Sequence, residues 1–196
     1  MARTDEVIAM TVVWLERVVI GLNLCPFAKA VHVKNQIRYA VSEARKSESL
    51  LADLKKELSL LVETPRERIE STLLIHPEAL IDFETYNHFL DLCKLLLEEM
   101  NLLGVVQIAS FHPDYQFAET SYDDVTNCTN RSPYPMLHLL REESVARATD
   151  AYPIGDEIYQ RNMATMNAMG HENMKALMGA VTESFRARNR ADDGVD

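Results

Sequence analysis

VVQIASFHPDYQFAETSYDDVTNCTNRSPYPMLHLLREES, residues 105–144, is the stretch on which the fold turns. It opens on an apolar run, Val105–Phe111, that reads as a strand ending at His112-Pro113. Residues 113–132 then show no periodicity. A loop of about twenty residues is uncommon in a compact domain and is usually functional or disordered. Tyr115, Phe117 and Tyr122 argue for a packed loop. Pro133 and Pro135 open the last element. MLHLLR alternates like a strand, but the length of MLHLLREESVARA and its Leu, Arg, Glu and Ala content favour a helix from near Tyr134 or Pro135. On that reading His138 and Glu142, four apart, share a helix face.

Working outward, two more strands precede this one. Ile37, Tyr39 and Val41 alternate with Arg38 and Ala40, and Thr72–Ile75 is a short apolar run ending at His76-Pro77. A helix with Leu50, Leu54, Leu58 and Leu61 inward lies between them, and one capped by Asp82 and stopped at Gly104 follows. Thr64-Pro65-Arg66-Glu67 opens a single turn. Strand, helix, strand, helix, strand implies an α/β (or α+β) domain with a small, mostly parallel sheet of three or more strands flanked by helices. The strand C-terminal ends then share one edge, bringing Ser42, His76, His112 and Asp114 to one side, where open α/β sheets bind ligands. At the N-terminus, Val7, Thr11, Trp14, Leu15, Val18 and Leu22 recur at helical spacing over residues 5–21, with Gly21 and Asn23 ending the helix. Helices over 155–169 and 171–187 form a Met-rich C-terminal extension after a break at Tyr152-Pro153-Ile154-Gly155. Residues 1–187 make one domain, and 188–196 read as a disordered polar tail.

A formal net charge of −10 argues against sequence-independent binding to nucleic acid. No apolar run reaches the roughly 18 residues of a membrane span. Three widely spaced cysteines, Cys25, Cys93 and Cys128, make no disulfide framework, and a cytoplasmic location follows as the expectation.

Three strings, GLNLCPFAKAV (21–31), FHPDYQF (111–117) and TNRSPYPMLHLLRE (129–142), resemble the domain-of-unknown-function 1415 family of bacterial and plant proteins, and the resemblance covers most of residues 8–165. It implies no activity. Cys128 lies where that pattern holds no fixed cysteine.

The residues themselves point to a site in the 111–142 segment. His112 with Asp114 suits acid–base work, with His138 and Glu142 completing the site. Cys25, in a loop before a proline, is a candidate nucleophile, although the preceding helix presents it a C-terminal dipole. Asn127, Asn130, Arg131 and Ser132, with Tyr115 and Arg141, make a candidate anion-binding cluster. The expected function is therefore a small-molecule enzyme performing hydrolysis or group transfer on a polar or anionic substrate. One alternative is a divalent metal held by His112, Asp114, His138 and Glu142, with His76 as a further ligand. The other is a non-catalytic binding or scaffold protein, self-associating through the Met-rich helices. No phosphate loop of the GxGxxG or GxxxxGK[ST] type occurs.

Overall fold

The computed structural model describes residues 4–151 and 155–192, with side chains described over 4–147 and 158–183. Helix α1, Thr4–Trp14, passes directly into a π-helical turn, Leu15–Ile20, and α2, Ala28–Val33, follows a short loop. Strand β1, Ile37–Val41, leads through α3, Ser47–Glu63, to β2, Ser71–Ile75; α4, Phe83–Glu99, then leads to β3, Val106–Phe111. A 3₁₀ turn at Val125–Thr129 precedes β4, Met136–Arg141, and helices α5, Glu142–Ala151, and α6, Gly155–Asp192, close the chain.

The four strands stand in the order β1-β2-β4-β3. β1 and β2 are parallel, and β4 runs antiparallel to both β2 and β3. This corrects the mostly parallel sheet expected from the sequence. Residues 136–141 do not begin a helix. They fill the slot between β2 and β3, where every residue from Met136 to Leu140 has a partner on both sides, as in Leu73↔His138↔Ala109. Helix starts only at Glu142. β1, β2 and β3 still point the same way, so their C-terminal ends share an edge.

One sheet face, with Leu74, Leu137 and Leu139, packs on α3 and α4. Leu50, Leu54, Leu58 and Leu61 of α3 are fully buried there, each stabilising the fold by about 1.5–3 kcal/mol relative to exposure. The other face, with Leu73, Ile75 and Met136, packs on α1, the π turn and α6. Asp82 caps α4, accepting from Thr85 N at 2.8 Å. That helix ends earlier than Gly104: Asn101 takes the left-handed conformation (φ 56°) just beyond Met100, and Gly104 (φ 76°) serves the following turn. Gly170 (φ 70°) breaks α6 between the two expected helices, and Met166 and Met174 are buried against α1. The helix runs on to Asp192, into the stretch read as a polar tail. The break expected over residues 152–154 and the side chain of Phe185 lie outside the described residues. Among the described residues no helix is long and apolar enough to cross a membrane.

Candidate functional site

The 112–132 loop is polar because it binds itself. His112 is fully buried, its Nε2–H donating to Leu80 O at 3.1 Å and its Nδ1 accepting from Asp114 N at 3.0 Å. Both ring nitrogens are satisfied, and burial holds the ring's pKa below the usual imidazole range against the opposing Leu80 hydrogen bond. The Asp114 carboxylate accepts from Tyr122 OH at 2.7 Å. Asn127 accepts from Phe117 N and Thr120 Oγ1 and donates to Ser121 O and Tyr122 O. Asn130 donates to Ser110 O, and Ser132 Oγ donates to Tyr134 O. Arg131 donates to the Tyr115 and Tyr122 carbonyls and lies 4.7 Å over the Tyr122 ring. Tyr115 packs on Phe83 and Phe117. The cluster read as an anion site is a closed set of turns and caps.

The expected metal and acid–base set does not converge. His112 packs on Phe83 and Tyr86 of the α4 face, whereas His138 packs against Phe111 on the opposite face. Four strand residues span about 13 Å, so His138 and Glu142 are far apart once 136–141 is a strand. Glu142 begins α5 and donates its N–H to Val105 O. Among the described residues no three His, Cys, Asp or Glu side chains gather into a metal-sized cluster. His76 does join His112 at the strand edge, stacked on Tyr86. Its Nδ1 bonds Ala79 O at 2.9 Å, and its Nε2 is buried without a partner.

A different site lies on the α1 face of the sheet. There a cavity of about 300 Å³ is walled by Trp14, Cys25, Phe27, Leu73, Phe111 and His138. The elements that shape it are unusual. The π turn widens the helix ahead of Cys25, with Gly21 N bonding Glu16 O and Leu24 N bonding Val19 O. A side chain at Gly21 would overlap the Arg17 carbonyl, so the wide turn requires glycine there. Asn23 (φ 53°) reverses the chain. From α6, Asn162 donates to Leu24 O at 2.9 Å and Arg161 to Asn23 O at 2.8 Å, clamping the turn that presents Cys25.

His138 is the polar centre of this wall. It sits mid-sheet between Leu73 and Ala109, so the partial accessibility of its side chain is toward the cavity. Its Nε2 is sealed from solvent and has no hydrogen-bond partner. Burial pushes its pKa down to about 4, leaving a neutral imidazole at neutral pH. The cavity runs toward the sheet edge opposite the 112–132 loop, where Glu70, Gln107 and Arg141 line it. The Arg141 guanidinium is engaged by the carbonyls of Leu61, Thr64 and Ile69.

Of the residues singled out in the sequence, Cys25, His138 and Arg141 line this cavity, His138 and Arg141 in settings other than those expected, whereas Trp14, Phe27 and Phe111 were missed. The signal was the alternation of MLHLLR, which as a strand puts His138 on the same side as Met136 and Leu140. A second, open cleft of about 750 Å³ follows the β1 edge, where Ser42 pairs with Asp53 at 2.5 Å and Arg38 with Glu57 at 2.6 Å.

Neither a curated protein nor a solved structure matches the chain. A family model described as a protein of unknown function, DUF1415, matches residues 6–176, which spans α1, the whole sheet, the cavity wall and the first part of α6. The chain belongs to the DUF1415 family.

Proposed function

We propose that the protein binds a compact, neutral, largely apolar small molecule carrying one hydrogen-bonding group, in the cavity between the sheet and α1. The observation that carries this reading is a part-exposed histidine, His138, on the wall of a mostly apolar cavity. The neutral imidazole offers a ligand group one hydrogen bond there, worth about 0.5–1.5 kcal/mol net. Cavities of this size, mostly apolar with few convergent polar groups, are the usual form of a small-molecule site.

The neutral character of the ligand follows from the lining. Arg141 already serves three carbonyls, and Glu70 adds a carboxylate to the same wall. An anionic head would be desolvated against mostly apolar walls, which is costly without a dedicated ion pair. This reading favours a neutral ligand on the sheet face over the polar or anionic substrate and loop site expected from the sequence.

Trp14 is the single tryptophan and lines the cavity, so its emission reports occupancy. The test is a titration with benzyl alcohol, toluene and benzoate, followed by Trp14 emission and thermal shift. Benzyl alcohol is expected to bind roughly two- to tenfold tighter than toluene, the worth of one net hydrogen bond, and benzoate weakest. His138→Leu should erase the alcohol's advantage while leaving toluene binding in place. Benzoate binding tighter than benzyl alcohol would restore the anionic reading, and no response to any of the three would remove the cavity as a site.

A further inference from the structure

Cys25 is the other chemically distinctive group on this wall. It is a free thiol, partly buried, and it faces the same cavity as His138. Its turn is held from three directions: Leu24 N by Val19 O, Leu24 O by Asn162, and Asn23 O by Arg161. Pro26 follows directly and stiffens the backbone. A thiol so mounted is held in place rather than sampling solvent, which lowers the entropic barrier to reaction with a bound molecule. The other two cysteines lack this setting. Cys93 lies in the α3–α4 core, where burial pushes its thiol up to about 12. Cys128 is raised by burial as well and lines no part of the cavity.

We infer that Cys25 is a covalent site, and that the cavity takes a compact, neutral α,β-unsaturated carbonyl compound whose carbonyl oxygen is held by the imidazole of His138. The inference rests on the reading of the cavity as a small-molecule site. A neutral imidazole can donate an N–H to a carbonyl and stabilise the enolate that develops there. The soft thiol supplies the nucleophile. In the addition, the Cys25 Sγ–carbon bond forms at the β-carbon and the carbon–carbon double bond opens to the enolate. The thiol's proton ends on the α-carbon. No leaving group, oxidant or second substrate is required, which suits a site whose other walls are apolar.

The experiment uses the full chain with cyclohex-2-enone at limiting concentration, and mass spectrometry of peptides to locate and time the adduct. Cys25 is expected to be modified at least about tenfold faster than Cys128 or Cys93, and Cys25→Ala should abolish the fast phase. His138→Leu should slow Cys25 addition about tenfold or more, the worth of one hydrogen bond to the developing enolate. His138→Gln, which keeps an N–H donor, should recover most of the rate. Methyl methanethiosulfonate, which has no carbonyl to polarise, should modify Cys25 equally in all three proteins that retain it. Equal rates at Cys25 and Cys128, or no effect of His138→Leu on the enone alone, would overturn the inference. Saturated cyclohexanone separates the two proposals. If it shifts Trp14 emission while Cys25 stays unmodified by the enone, the cavity reading stands and the covalent one falls; if it does not bind, both fall.

Discussion

The 112–132 loop and the cavity on the α1 face are opposites. The loop is crowded with Asp, Asn, Thr and Arg, yet most of those side chains hold one another and the backbone, Thr129 Oγ1 being buried without a partner. The cavity wall is nearly all apolar, yet it holds one part-exposed imidazole whose buried Nε2 has nothing bound to it. His112 and His138 make the contrast in a single residue type. His112 uses both ring nitrogens to tie the loop to the Leu80 turn, whereas His138 leaves Nε2 idle in the middle of a sheet. Density of polar residues marks where a chain has to satisfy its own backbone. A part-exposed polar side chain on an otherwise apolar cavity wall marks where something else can bind.

The largest expected effect that tests this contrast is acid sensitivity. Burial pushes His76 and His138 down to about 4. An unfolded imidazole titrates near 6.5, so on acidification the unfolded chain takes up protons first. Stability is therefore full above about pH 6.5 and is lost as pH falls toward 4, by at most about 1.4 kcal/mol per pH unit for each histidine. Urea titrations across that window should show a shallower slope in His138→Leu, by up to about 1.4 kcal/mol per pH unit. An unchanged slope would mean that His138 already charges in the folded protein.

Next in size is His112→Leu. It removes the donor to Leu80 O and the acceptor for Asp114 N inside a fully buried site, and a loss of about 2–4 kcal/mol is expected in urea denaturation. The same substitution at His138 should have the opposite sign. Leucine removes an unpartnered polar atom from an apolar wall, so a gain of up to about 1 kcal/mol at neutral pH is expected. If His138→Leu destabilised as much as His112→Leu, the two histidines would be structural alike and the cavity reading would lose its main support. The smallest effect belongs to Tyr122→Phe at the exposed loop surface. It loses the bond to Asp114 but keeps the ring beneath Arg131, and a cost below about 0.5 kcal/mol is expected by thermal unfolding.

Much of the framework was legible because its signals are local. Asp82 before an apolar-periodic run specifies a helix start, and the capping bond to Thr85 is there. The leucine spacing of 50–61 specifies a buried helix face, and all four leucines are fully buried. Gly21 and Asn23 announced the end of the first helix, although not the π turn that makes glycine necessary. Residues 136–141 were misread because their composition suits a helix. Their state is decided by β2 and β3, which lie about sixty and thirty residues upstream and offer hydrogen bonds on both sides. The candidate site was half legible for the same reason. Cys25 and His138 are visible as residues, but the chain does not announce that one cavity joins them.

By itself the sequence determined the succession of elements from β1 to β3 and the packed nature of the long loop, and it pointed to a shared direction for those three strands. These follow from caps, periodicity and turn chemistry, which act within a few residues. Only the tertiary structure decided that a fourth strand is inserted antiparallel between the second and third, which face His138 occupies, and that Asp114, Asn127, Asn130 and Arg131 of the loop are already bonded within it. Helix and strand propensities differ by less than about 1 kcal/mol per residue. A slot between two strands, with a ladder on each side and an apolar layer above and below, outweighs them.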